Sequence, residues 1–167
     1  MKKNFFYAGF AACLLLLCGS VPTQAGPCEP ALQTAFFQSA LKAAGVASER
    51  IASDSVNGYS GFVYMPDFKG SEVTIGFPSA GLRRGTPFLL AIDGMAALVQ
   101  YSADGKLAIV GGDRRIAGSG VFDIIECILS NALESVGDLI ESIAHLDVAG
   151  IIKAVAQLVF GILDCDF

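Results

Sequence analysis

Two arginine pairs offer the most specific polar chemistry in this chain. Gly81-Leu82-Arg83-Arg84-Gly85 and Gly112-Asp113-Arg114-Arg115-Ile116 both read as loops. A guanidinium is a planar fork of donors that matches a carboxylate or phosphate two bonds at a time. Four of them would grip an anion if the fold brought the two loops together. The plainer reading is a pair of solvated loops, one with Asp113 already bound to an arginine. Exposed ion pairs of that kind contribute roughly 0–1 kcal/mol.

The remaining inventory for catalysis is thin. His145 is the single histidine, and it falls in a break between two helical patterns. A nucleophilic site needs a base held beside Ser or Cys, and nothing in the spacing places His145 near either. There is no CxxC or HxxxH pair to suggest a metal site. A glycosidase needs two converging carboxylates. Asp93 and Asp113 end strand-like runs, and Glu134, Asp138 and Glu141 share a helical face, but solvation accounts for all five. Gly111-Gly112 and Gly118-Ser119-Gly120 lack the spacing of a phosphate loop and read as turn and linker glycines. The expectation is a protein without catalytic residues, metal or cofactor.

Residues 1–25 read as a secretory leader. Lys2 and Lys3 precede an apolar run from Phe5 to Cys18, Gly19 and Pro22 break it, and Thr23-Gln24-Ala25 sets small residues around a cut after Ala25. That is the three-part pattern of an export signal, in a bacterial style. The run is shorter than the about 20 apolar residues that a membrane span needs. Leu17 before Cys18 argues against a lipid attachment site. The expected product begins near Gly26 and resides in the periplasm or outside the cell.

Charge is unevenly spread along that product. From residue 26 onward there are 9 bases and 16 acids, for a net charge of −7. Residues 26–118 balance, whereas residues 119–167 carry eight acids and only Lys153. Phosphate backbones require a basic footprint, so nucleic acid is excluded as a partner. Electrostatic docking on anionic lipid is disfavoured for the same reason.

Export leaves Cys28, Cys127 and Cys165, in a compartment that favours disulfides. The midpoint of 127 and 165 is 146, within the His145-Leu146-Asp147 break. Two helices doubling back there rise equally per residue and bring Cys127 and Cys165 level. Such a bridge would be worth about 3–4 kcal/mol in the loop-entropy model. The rival pairing joins Cys28 to Cys165 and ties the two ends of the domain together.

Those residues must be positioned by four kinds of segment. Pro30–Ala44 has helical spacing of Leu32, Ala35, Phe36, Ala40 and Ala43, with Pro at its start and Gly45 as its stop. Residues 46–61 are polar and rich in Gly and Ser, so a loop or weak strand. Strand signals follow at Phe62–Met65, Val73–Phe77, Phe88–Ile92, Ala97–Tyr101 and Lys106–Val110. Asp93-Gly94 and Asp104-Gly105 supply the turn chemistry between them. Pro66 and Pro78 are read as strand ends, and the continuous apolar run Phe88–Ile92 as a central strand covered on both faces. Phe122, Ile125, Leu129, Ala132, Val136, Leu139 and Ile143 then recur at 3-4 spacing along a helix of about six turns. Asp123, Glu126, Glu134, Asp138 and Glu141 lie off that seam, and Gly137 is a weak point. Asp147 is the expected N-cap of a second, almost wholly apolar helix over Val148–Leu163.

The expected fold is α+β in one domain over residues 26–167. It has a helix (26–45), an antiparallel sheet of four or five strands (46–118) and an antiparallel helical hairpin (119–167). The expected function is an exported, non-enzymatic module that binds another protein, an inhibitor, immunity-type or envelope accessory protein, through an acidic helical face. The competing expectation is a secreted effector that inserts its apolar hairpin into a membrane. Membrane contact is then confined to residues 148–163.

Overall fold

A helix that begins beside a proline and stops at a glycine leads the chain onto a sheet. The structure, a computed structural model, describes residues 28–51 and 58–165. The leader over 1–25 therefore lies outside the described residues. Helix α1 (Cys28–Ala43) ends in a motif in which Val46 N–H donates to Leu41 C=O at 2.8 Å and Gly45 N–H to Lys42 C=O at 3.1 Å. Gly45 sits at φ 80, which a glycine adopts without a steric penalty, and the two bonds satisfy otherwise orphaned carbonyls.

Six antiparallel strands follow in sequential order: β1 (Glu49–Ile51), β2 (Tyr59–Phe68), β3 (Ser71–Pro78), β4 (Phe88–Ile92), β5 (Met95–Tyr101) and β6 (Leu107–Gly112). The five expected strands are present, and the polar stretch before them adds β1 as a short edge. Asp93 and Gly94 both take positive φ, as the two-residue hairpin turn requires, and Lys69-Gly70 does the same between β2 and β3. Strand β2 runs through Pro66 instead of ending there. The register slips between Met65 and Phe68, so Pro66 lies in an irregularity where its missing N–H costs no ladder bond.

One face of the sheet is the core. Val63, Met65, Val73, Ile75, Phe77, Phe88, Leu90, Ile92 and Val99 are at most 1% exposed. Alternation fails for β4 in sequence because all five residues are apolar, yet its burial does alternate: Phe88, Leu90 and Ile92 are buried, Leu89 and Ala91 only half-buried. The strand is covered on one face, not two.

Helix α1 lies on that buried face. Phe37 meets Phe77 edge-on at 5.9 Å between centroids. Gln33, 1% exposed, accepts the Leu82 N–H at 2.7 Å, which ties α1 to the loop after β3. Gly61 lets the two elements approach, since a Cβ there would run into the Thr34 hydroxyl.

A short 3-10 turn (Arg114–Gly118) leads to α2 (Gly120–Ala144), whose first turn is capped by the Ser119 hydroxyl accepting from Phe122 N–H. The seam from Phe122 to Leu139 is buried as spaced, and Ile143 is half-buried. Gly137 does not break the helix, because intrahelical bonding and the packed seam on either side outweigh a local cost of about 1 kcal/mol. Of the acids expected to face water, Glu126 does not. Half-buried, it accepts the Leu107 N–H at 2.8 Å and fastens α2 to the start of β6.

Helix α3 (Val148–Leu163) returns along α2. Three pairs mark the antiparallel register: Cys127 bonds to Cys165, Asn131 Nδ2 donates to Gly161 C=O at 2.9 Å, and Gly150 faces Ser142. Each pair is symmetric about residue 146. A side chain at Gly161 would clash with Asn131, so the glycine sets how closely the helices cross. The turn closes with Asp147 N–H donating to Ser142 C=O and Leu146 N–H to Ile143 C=O. Leu146 holds φ 53 to do so, a conformation a branched-chain residue adopts at a cost. Asp147 occupies the N-cap position of α3, but its side chain makes no capping bond.

Candidate functional site

The sheet sends the two arginine pairs to opposite ends. Arg83 and Arg84 follow β3, in a loop pinned to the end of β5 by Gly85 N–H donating to Tyr101 C=O. Arg114 and Arg115 follow β6, beside the start of β5, where Asp113 N–H donates to Ala96 C=O. The seven residues of β5 separate those ends by about 20 Å. No four-guanidinium grip forms.

Arg115 is occupied locally. Its Nη2 lies 2.6 Å from Asp113 Oδ2 and its Nε 3.0 Å from Oδ1, while its backbone N–H also donates to Oδ1. These bonds hold the Asp113 carboxyl down at about 2. Asp93 is similarly engaged: its oxygens accept from the Ser71 hydroxyl at 2.8 Å and the Glu72 N–H at 2.9 Å. Both strand-end carboxylates therefore brace turns. Arg83 and Arg84 rim a shallow cavity of about 360 Å³ with Gln33, Leu82 and the α2 side chains Leu133 and Ile140. The Gln33 carbonyl there is already spent on Leu82.

The helical hairpin gathers the acids. Glu134, Asp138 and Glu141 are all exposed on α2. Asp138 and Glu141 line a groove of about 480 Å³ between α2 and α3, together with Asp147, Ser142 and Gln157, and Lys153 is the one cation in it. Glu134 lies one turn further along, outside the groove lining. His145 is exposed in the interhelix turn. Among the described residues, no three His, Cys, Asp or Glu side chains gather as a metal-ligand set.

No family model, curated protein or solved structure matches the chain.

Spacing did not single out the outer stripe of α3. Ile151, Ala154, Val155, Leu158 and Ile162 are buried, which accounts for one face of the helix. Val148, Ile152, Phe160 and Leu163 then remain exposed at 56%, 37%, 62% and 52%. At 100° per residue these four fall within one 120° sector, so they form a continuous apolar strip. The available signal was an apolar excess too great for one buried face. Helix α3 is about 24 Å long against a hydrocarbon core of about 30 Å, and no described helix is long and apolar enough to cross a membrane.

The Cys127–Cys165 bridge joins the far end of the hairpin, with Cα atoms 6.0 Å apart. Cys165 thus pairs with Cys127 and not with Cys28. Burial pushes the nearby Tyr101 phenol far above its ordinary range; Ser130 opposes the shift and the Glu126 carboxylate adds to it. That tyrosine packs the hairpin against the sheet and has no accessible hydroxyl with which to act on a ligand.

Proposed function

We propose that this protein is an exported, non-enzymatic binding module that engages a basic protein partner through the acids of its helical hairpin. The observation that carries this reading is the groove in which Asp138, Glu141 and Asp147 face a single cation, Lys153. The surplus of negative charge in the last third of the chain supports it, because complementary charge accelerates encounter and rejects wrong partners. The disulfide at the opposite end of the hairpin supports it too, since a clamped helical pair presents its acids in a fixed arrangement.

The test compares the protein with the triple variant Glu134→Lys, Asp138→Lys, Glu141→Lys in crosslinking to its envelope or secreted partners. A specific adduct that disappears in the variant and weakens as salt is raised supports the reading. An adduct indifferent to both changes refutes it.

The exposed strip on α3 favours a second reading, a membrane-active effector that lays or inserts its hairpin into lipid. Low pH would protonate the surrounding acids, and reduction would open the clamp. Dye release from vesicles at neutral and acidic pH, with and without reductant, separates the two readings. Leakage supports the effector; silence under all four conditions removes it.

A further inference from the structure

The outer face of the sheet is a second apolar surface. Cross-strand register places Phe62, Gly76, Leu89, Leu98 and Gly111 in one row running from β2 to β6. A parallel row contains Tyr64, Thr74, Ala91 and Ala96. Neither row holds an Asp, Glu, Lys, Arg or His. Glu72 is at one end of β3 and Glu49 is paired with Tyr64 on the edge strand, so carboxylates occur only at the rim. Leu98 is 36% exposed and Val110, the extra residue of the β6 irregularity, 47%. Along the first row Gly76 and Gly111 flank the large neighbours Leu89 and Leu98, and the Phe62 ring lies over Gly76, where a Cβ would come within 2.9 Å of it.

We infer that this face pairs with the same face of a second copy, giving a twofold dimer in which two sheets pack as a sandwich. Three observations select that occupant. First, rows without charge offer nothing to a charged partner, whereas knobs such as Leu98 and hollows such as Gly111 complement themselves across a twofold axis. Second, the helices occupy the other side of each sheet. Packing sheet to sheet therefore keeps the two acidic hairpins on opposite outer surfaces, separated by several Debye lengths of about 8 Å. Joining the copies through their hairpins would press like charges together. Third, six strands about 4.8 Å apart and about 20 Å long make a face of roughly 500 Å² in projection. Over both copies that is about 1,000 Å², the size a specific interface has to clear.

The experiment is sedimentation equilibrium on the purified protein at 1–200 µM, with intact mass recorded to establish whether residues 1–25 are present. The expected result is a mass rising to twice the monomer. Leu98→Glu is expected to weaken association at least about 100-fold, because it buries an unpaired charge at the centre of the pairing. Its far-UV spectrum and melting should match the parent, since Leu98 touches solvent in the monomer. Phe160→Glu on α3 should leave association unchanged. A parent that stays monomeric throughout overturns the inference. So does a dimer that survives Leu98→Glu but dissociates with Phe160→Glu, which would put the interface on the hairpin. Association that appears only once the leader is removed keeps the face but shows that the leader covered it. Vesicle binding lost with Leu98→Glu, in a protein that never self-associates, would make the face a lipid surface and also overturn the proposal.

Discussion

Removing the Cys127–Cys165 bridge by a double change to alanine is the sharpest test of how the hairpin is held. The bridge closes a loop with a sequence separation of 38. In the chain-entropy model, cutting that loop frees the denatured chain by about 13 cal/mol/K, which is about 4 kcal/mol at 25 °C. For a domain of this size, about 3 °C of melting temperature accompanies each kcal/mol, so a fall of about 12 °C is expected. Guanidinium unfolding at 25 °C supplies the free energy directly. Its slope should steepen in the double variant, because an uncrosslinked denatured chain exposes more surface. Asn131→Ala is the matched comparison. It removes only the neighbouring hydrogen bond to Gly161 and should cost about 1 kcal/mol without altering the slope. A loss below about 1.5 kcal/mol in the cysteine variant, or an unchanged slope, would refute the argument that the bridge acts on the denatured chain. Rapid alkylation of Cys127 and Cys165 in the native protein would refute the bridge itself.

Four further outcomes are expected. Gly61→Ala should destabilise by about 1–3 kcal/mol in thermal melts, and Thr34→Ala in the same molecule should recover part of that loss, because the added methyl meets the Thr34 hydroxyl. Leu146→Gly should raise stability by roughly 0.5–1 kcal/mol by relieving the left-handed backbone in the interhelix turn; a decrease would show that Leu146 contributes packing instead. Gln33→Leu leaves the Leu82 N–H without its partner and should cost about 1–3 kcal/mol, with faster amide exchange at Leu82 as the local signature. For Asp113 the native carboxyl titrates at about 2 against an ordinary value of 3.8. A depressed native value adds stability above pH 3.8 that is lost as pH falls through about 2. Arg115→Gln should therefore return the Asp113 carbon-13 titration towards its ordinary midpoint and flatten the acid limb of stability between those pH values.

Local chemistry explains why some of the fold can be read directly. Positive φ is cheap for glycine, so Gly45 marks the end of α1 and Gly94 the β4–β5 turn before any tertiary contact is considered. The seam from Phe122 to Leu139 must be buried because no other arrangement of that spacing hides it. The loop midpoint at residue 146 follows from equal rise along two helices, and it placed Cys127 opposite Cys165. The acids Glu134, Asp138 and Glu141 were likewise legible, since residues off an apolar seam face water.

Other features depend on which elements meet. Glu126 has the same spacing as its exposed neighbours, but the start of β6 arrives beside it and its carboxylate becomes a partner for Leu107 N–H. Phe88–Ile92 is apolar throughout, and only the one-sided placement of the helices decides that Leu89 and Ala91 point away from the core. The arginine pairs look equivalent in sequence, and a meander with an even number of strand crossings between them would have brought them together; the count of strands sends them to opposite ends. Helix α3 has too much apolar surface for one face, but which residues stay outside depends on how α2 and α1 pack against it. Periodicity and backbone preference act within a few residues, so the sequence alone determined most of the elements and their turns, and it favoured the Cys127–Cys165 bridge over its rival. The exposed faces are differences between surfaces covered and uncovered, and those exist only once distant segments have been assembled.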